Sequence, residues 1–345
     1  IKGRMNNITI KDIAKRFKCS PSTVSRALND HSNINVDTKE TIQEYAQKMG
    51  YQKNSISLSL LNKSTKTIGV LVPSINHSHE TLMIQGIQSV FNSLGYMLIF
   101  CVTNEKHSLE QEHIKRLLSN RVDAILVSIS QETASLRDFS HFDMVNKRKT
   151  PLFFIDRDII ENYGSSVVID DYAGAYLATK HLIEKGCQRI AHLAGPQGLL
   201  VSKLRLEGYL DCLKNSGIAP YDDWIKHVEF NIESAIEPTK NWFEAKTTTP
   251  DAIFGVNDYV CYGAINVLMN LNIKIPEEVS VIGFDNCPIS PYFSPKLTTI
   301  DRKSYEIGRL AAEQTLEMLS SDTYLPEKSI LNPILIERES TRQVG

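Results

Sequence analysis

Two groups of residues in this sequence have types and spacing suited to chemistry. The first is the polar run Ser20-Pro21-Ser22-Thr23 within IKDIAKRFKCSPSTVSRALND. Val24, Arg26, Ala27 and Leu28 follow it. A core helix has no use for those hydroxyls, whereas a helix lying against a negatively charged surface can use them all. The second group consists of polar residues placed directly after apolar runs of strand length. These are Ser74 to His79, Ser128 to Gln131, Asp156-Arg157, Asn257-Asp258 and Asp285-Asn286. In open α/β sheets, ligands bind at the carboxyl ends of the strands, where such residues sit.

The elements that must hold the first group are short helices. Residues 8–50 read as three of them. Thr9 caps the first, with Asp12 in the capping-box position, and Ile13, Ala14 and Phe17 form its inner face. Ser20 caps the second and Pro21 fits its first turn. The third runs from about Thr38 to Met49 and stops at Gly50; Ile42, Tyr45, Ala46 and Met49 lie on one face. Two helices joined across Lys18-Cys19-Ser20 and braced by a third make a helix-turn-helix unit. The next stretch, KNSISLSLLNKSTKT, reads as a linker with the makings of a short amphipathic helix.

From Thr67 onward, strand-length apolar runs alternate with helical segments, from Ile68–Val72 to Val279–Phe284. This βαβ alternation predicts parallel sheets covered by helices, with enough strands for two doubly wound lobes.

Charge separates the two regions. Residues 1–66 hold 12 Lys and Arg against 5 Asp and Glu, while the remainder holds 26 against 35. A basic front end on an acidic body points to a polyanion partner for the front end alone. The 345 residues suffice for about two or three domains. No apolar run approaches a membrane span and no secretory pattern opens the chain, so a cytoplasmic protein with no membrane partner is expected. Ile1 to Arg4, ahead of Met5, read as a cloning-vector remnant. The six cysteines show no metal-ligand spacing, so reduced thiols and no metal are expected. No GxGxxG, phosphate loop or nucleophile elbow is present, so neither a cofactor nor an enzymatic activity is expected.

The stretches TIKDIAKRFKCSPSTVSRALN and GYQKNSISLSLLNKSTKTIGVLVP resemble the LacI/GalR (lactose-repressor) family of transcription regulators. So do HLIEKGCQRIAHLAGP, RLEGYLDCLKNSGI, AIFGVNDYVCYGAINVL, IPEEVSVIGFDN, SPKLTTID and LIERESTRQ, in the family's order. The resemblance implies an all-α helix-turn-helix headpiece followed by a two-lobed α/β effector domain of the periplasmic-binding-protein type (type I). It implies a headpiece over 5–52, a hinge over 53–66 and a body over 67–342. The first lobe is expected at about 67–165 and 296–325, the second at about 166–295 and 326–342.

Function follows from the same resemblance. It implies a repressor that binds a pseudo-palindromic double-stranded operator as a homodimer, under control of a small-molecule effector, sugar-like or otherwise polar. Base reading falls on Pro21, Ser22 and Arg26, of which Arg26 suits a bidentate contact to guanine. Phosphate contacts fall on Thr9, Ser20, Thr23, Ser25, Asn29, Asn33 and Thr38. Asn54, Ser57 and Leu60 fall in the minor-groove hinge, with Leu60 as the wedge. Effector positions fall on Asp156, Arg205, Asn257 and Asp285, with Arg157 adjoining. His79 stands where the family carries an aromatic stretch, and with Glu80 it makes either a more polar site or an exposed loop. Asp285 has a loop-capping alternative and Asn257 a helix-capping one. The family's turn glycine is Lys18, its hinge proline is Lys53 and its usual basic hinge residue is Leu58. A transport-type solute-binding protein is the alternative, but it would lack the headpiece.

Overall fold

A computed structural model describes residues 8–51, 64–159, 163–245, 248–321 and 325–343. The hinge positions Asn54, Ser57 and Leu60 lie outside them. The chain divides into two compact units at Thr65/Lys66.

The first unit is built from α1 (Ile10–Arg16), α2 (Pro21–Leu28) and α3 (Val36–Lys48). Thr9 and Asp12 close a reciprocal capping box at the start of α1. Ser20 caps α2 through the Thr23 N–H at 3.1 Å. Asn35 caps α3, so that helix begins before the expected Thr38. Ile13, Ala14, Val24, Ala27, Ile42 and Ala46 form one buried core. The turn after α1 closes as a Schellman motif: Cys19 N–H donates to Ala14 O at 3.0 Å and Lys18 N–H to Lys15 O at 3.4 Å. Lys18 adopts φ 49°, the left-handed conformation that glycine reaches without a Cβ penalty. The turn thus keeps a glycine's geometry without the glycine.

The second unit carries two six-stranded sheets. In the first lobe, β1 (Thr67–Val72), α4 (Ser78–Phe91), β2 (Met97–Val102), α5 (His107–Ser119), β3 (Ala124–Val127), α6 (Gln131–Leu136), α7 (Ser140–Lys147), β4 (Leu152–Ile155) and β5 (Ser165–Ile169) follow in order. The chain then enters the second lobe: α8 (Asp171–Glu184), β6 (Ile190–Ala194), α9 (Leu200–Asn215), β7 (Ile225–His227), α10 (Ile232–Glu244), β8 (Ala252–Gly255), α11 (Asp258–Asn270), β9 (Ser280–Phe284) and β10 (Thr298–Asp301). It returns for α12 (Ser304–Ser320) and β11 (Lys328–Leu331), and ends in β12 (Ile334–Ile336). Spatial orders are β2-β1-β3-β4-β5-β11 and β7-β6-β8-β9-β10-β12. All pairings are parallel except β10 with β12.

The lobe boundaries differ from those expected. β5 pairs with β4 in the first sheet, with Phe153 opposite Ser165, and β11 adds to its far edge. β10 lies between β9 and β12 in the second sheet. Residues 166–169 and 328–331 therefore belong to the first lobe, and 298–301 to the second. Their sequences, SSVVI, TTID and KSIL, carry no mark of sheet membership; only the open edge available for pairing decides which sheet they join. α4 and α12 pack closely because Gly308 has no Cβ, which would lie 1.9 Å from Met83 O.

Candidate functional site

In the headpiece, the 3.6-residue period sorts α2 into two faces. Val24 and Ala27 are buried, while Pro21, Ser22, Arg26 and Asn29 are exposed, with Ser25 half-buried among them. The hydroxyls gather at the helix start: Ser20 Oγ lies 2.7 Å from Ser22 Oγ and 2.8 Å from Thr23 Oγ1. No acidic residue occupies the first turn of α2. Its N-terminal N–H groups and positive dipole end thus meet hydroxyls and no carboxylate. Thr9, Asn33 and Thr38 are exposed as well. Thr9 Oγ1 already donates to Asp12 Oδ2 at 2.6 Å within its capping box.

In the body, both sheets reverse strand order, at β1/β3 and at β6/β8, and the polar groups collect at those ends. Asp156 follows β4 and Asp285 follows β9, at φ 67° and 116°. Such values in non-glycine residues store strain of about 1–3 kcal/mol each and cluster at functional sites. Backbone bonds hold both in place: Asp156 N–H to Val167 O at 3.1 Å, and Asp285 N–H to Ile300 O at 2.8 Å.

Arg205, on α9, is 2% exposed. Its Nε donates to Asp171 Oδ1 at 2.8 Å, its Nη1 donates to Val256 O, and Phe284 stacks 3.7 Å from its guanidinium. Burial raises the carboxyl pKa of Asp171 and of Asp285, against the pull of the arginines. His79, at the start of α4, brings its Nε2 to 3.8 Å from Asp156 Oδ2 and its Nδ1 to 4.0 Å from Asp285 Oδ2, contacts too long for hydrogen bonds. Burial, and then the nearby Arg302 charge, keep His79 neutral. Burial pushes Glu80 up to about 8.

Two sequence candidates are engaged structurally. Asn257 accepts from Val260 N–H at 2.9 Å, capping α11, and donates to Phe230 O at 3.2 Å. This is the capping alternative. Arg157 donates to both carboxylate oxygens of Glu105 at 2.9 Å. Both still line a small cavity of about 20 Å³ together with His77, His79, Asp156, Arg205 and Asp285. A larger cavity of about 390 Å³ also borders Asp156 and Arg157, with Ile159, Ile169, Leu199 and Leu204 in its wall. Its lining also carries charged groups, among them Asp156, Arg157, Asp158, Asp171 and Lys328, of which Lys328 is paired with Asp158 at 2.7 Å.

Sequence reasoning missed Arg302. It lines the small cavity and binds both Asp156 and Asp285. It directly follows β10, so the post-strand rule that singled out Asp156 applies to it equally. Four buried polar atoms in this region, His77 Nδ1, His79 Nδ1, Glu80 Oε2 and Arg302 Nε, have no hydrogen-bond partner among the described residues. A buried polar atom without a partner is costly, and a polar ligand or water satisfies it.

A helical unit that turns hydroxyls and an arginine outward, carried on a two-lobed body with a polar cleft, defines a ligand-responsive DNA-binding regulator. Comparison with known proteins agrees. Residues 9–54 match the profile of bacterial regulatory proteins of the lacI family, and residues 179–341 a periplasmic binding protein-like domain. The HTH-type transcriptional repressor PurR of Vibrio vulnificus is 30% identical, with 98% of this chain and 99% of that one aligned. The ribose operon repressor of Halalkalibacterium halodurans is 29% identical over 97% of each chain. The Lac repressor dimer bound to operator and the anti-inducer ONPF superposes with a TM-score of 0.87 at 23% identity, covering 98% of this chain and all of that one. A LacI family regulator from Enterococcus faecium with bound ribose gives 0.71 at 25%, covering 81% of this chain and all of that one. The chain belongs to the lacI family of bacterial regulatory proteins. It is a DNA-binding transcriptional regulator, and not an enzyme. Among the described residues, no helix is long and apolar enough to cross a membrane.

Proposed function

We propose that the protein is a repressor whose homodimer grips a pseudo-palindromic operator and is controlled by a sugar-class polyol in the cleft. Asp156, Arg205, Asp285, His79 and Arg157 contact the effector, and Asn257 shapes its floor. In each copy, α2 enters the major groove. There Arg26 reads guanine, Pro21 meets a thymine methyl and Ser22 reads weakly. Ser20, Thr23, Ser25, Asn29, Asn33, Thr38 and Thr9 set register on phosphates. Asn54, Ser57 and Leu60 serve the minor groove. The named relatives, the transcriptional repressor PurR and a ribose operon repressor, favour repression. The ribose bound in the Enterococcus regulator favours a sugar.

The observation that carries the effector assignment is the convergence of charged side chains from both lobes on one small cavity with unpartnered polar atoms around it. Such a site changes its energy when the lobes move, and only a ligand with different affinity for the two states shifts them. The test has two arms. Selection from randomised duplexes, repeated over a salt series, reads sequence preference and phosphate neutralisation. Thermal unfolding across a panel of neutral sugars and polyols reads the cleft. A protein with no duplex preference, or one stabilised by no polyol, contradicts the respective half of the assignment.

A further inference from the structure

The two carboxylates best placed to hold an effector already hold a cation. Asp156 belongs to the first lobe and Asp285 to the second. Arg302 lies in the crossover between β10 and α12, one of the three segments that join the lobes. Its Nη2 donates to Asp156 Oδ1, and its Nη1 donates to Asp285 Oδ1 at 3.3 Å. One guanidinium therefore ties a residue of each lobe to the connecting strap. It is 4% exposed, and the space left beside it, about 20 Å³, holds about one water molecule. A polyol cannot reach both carboxylates while the guanidinium stays between them.

We infer that Arg302 is a specificity-determining residue of the cleft: its side chain is a tethered occupant of Asp156 and Asp285, and a ligand enters by bringing its own donors, neutral or cationic, to those carboxylates in its place. The inference rests on the reading of the cleft as the effector site. Charge sets which ligands can make the exchange. With Arg302 displaced, Asp171 and Asp285 keep Arg205 as a cationic neighbour and Asp156 loses its guanidinium partner, while Arg157 stays bound to Glu105. A phosphate- or carboxylate-bearing metabolite adds to that acidic surplus in a buried place, where unpaired charge is most costly. A ligand rich in hydroxyl or amine donors satisfies the acids. Glu80 Oε2, buried without a partner, is a further acceptor for such donors.

Methylguanidinium, the free form of the tethered group, is the probe. In the full chain, Arg302→Ala leaves Asp156 and Asp285 facing each other unneutralised, so its unfolding midpoint falls by several degrees. Millimolar methylguanidinium chloride should restore much of that loss, whereas sodium chloride at equal ionic strength and methyl phosphate should not. The parent protein should not respond. A midpoint unchanged by Arg302→Ala overturns the inference. So does failure of methylguanidinium to raise the variant's midpoint, or an equal rise with methyl phosphate. If Arg302→Ala does not fold, Arg302→Lys carries the test. Its single ammonium cannot bridge both acids, so its midpoint falls; a midpoint equal to the parent's sinks the proposal. The two readings fail separately. A failed rescue removes Arg302 from the site and leaves the effector assignment standing. A polyol panel without a hit removes the effector assignment and leaves the rescue intact.

Discussion

Asp258, the first residue of α11, accepts a hydrogen bond from the backbone N–H of Cys287 at 2.7 Å. The same carboxylate accepts from Ser290 Oγ at 2.7 Å and from Thr299 Oγ1 at 2.6 Å. It thus fastens the loop bearing Asp285 to a helix start and to β10. The fit leaves no room for a side chain at Gly283, where a Cβ would lie 2.2 Å from Asp258 Oδ1. Asp258→Asn places an amide NH₂ against groups that are themselves donors. The expected cost is about 1–3 kcal/mol of stability, the penalty of leaving buried donors unsatisfied. Urea unfolding checks it, and a cost near zero would mean that the loop is held by other contacts.

Glu80 supplies a pH signature. Burial raises its folded-state pKa to about 8, against an ordinary value of 4.5. The folded protein therefore binds a proton that the unfolded chain releases. The stabilisation is complete below pH 4.5 and drains away as pH rises toward 8. Glu80→Gln keeps the neutral form at every pH. Relative to the parent, it should gain stability progressively across that window and show no change in the gap below it. Urea midpoints taken at a series of pH values decide the matter; two parallel curves would show that Glu80 is not buried in this way.

Lys18 pays a conformational cost that glycine avoids. At φ 49° its Cβ crowds the backbone, and exposure gives the side chain little to gain in return. Lys18→Gly should stabilise the headpiece by up to about 1 kcal/mol. The loss of one positive charge should weaken binding to all duplexes slightly. Thermal unfolding of the full chain, followed by a headpiece signal, tests the first statement; a lowered midpoint contradicts it.

Arg26→Ala should cost on the order of 1–3 kcal/mol in operator binding and relax preference at one base position. Selection profiles for the two proteins, compared at one salt concentration, give the answer. An unchanged profile removes Arg26 from base readout.

The headpiece was legible because its signals are local. Thr9 with Asp12, and Ser20 with Pro21, state helix starts within four residues. The alternation of strands and helices was legible for the same reason. Sheet membership was not, since β5, β10 and β11 are short strands of mixed polar and apolar residues, and which sheet edge each joins is settled only by tertiary pairing. The cleft was half legible. Asp156 and Asp285 announced themselves by following strands, but whether Asn257 caps a helix or faces a ligand depends on a rotamer. Arg302 obeyed the same positional rule as Asp156 and was passed over because residues 298–301 were not read as a strand.

The order in which strands join the two sheets also governs truncation. β11 closes the outer edge of one sheet and β12 the outer edge of the other, and they are the last two strands among the described residues. A premature stop anywhere ahead of Lys328 strips an edge from both lobes at once. Neither lobe can be expressed as a simple contiguous fragment, so a gene cut in two would have to reassemble from interleaved pieces.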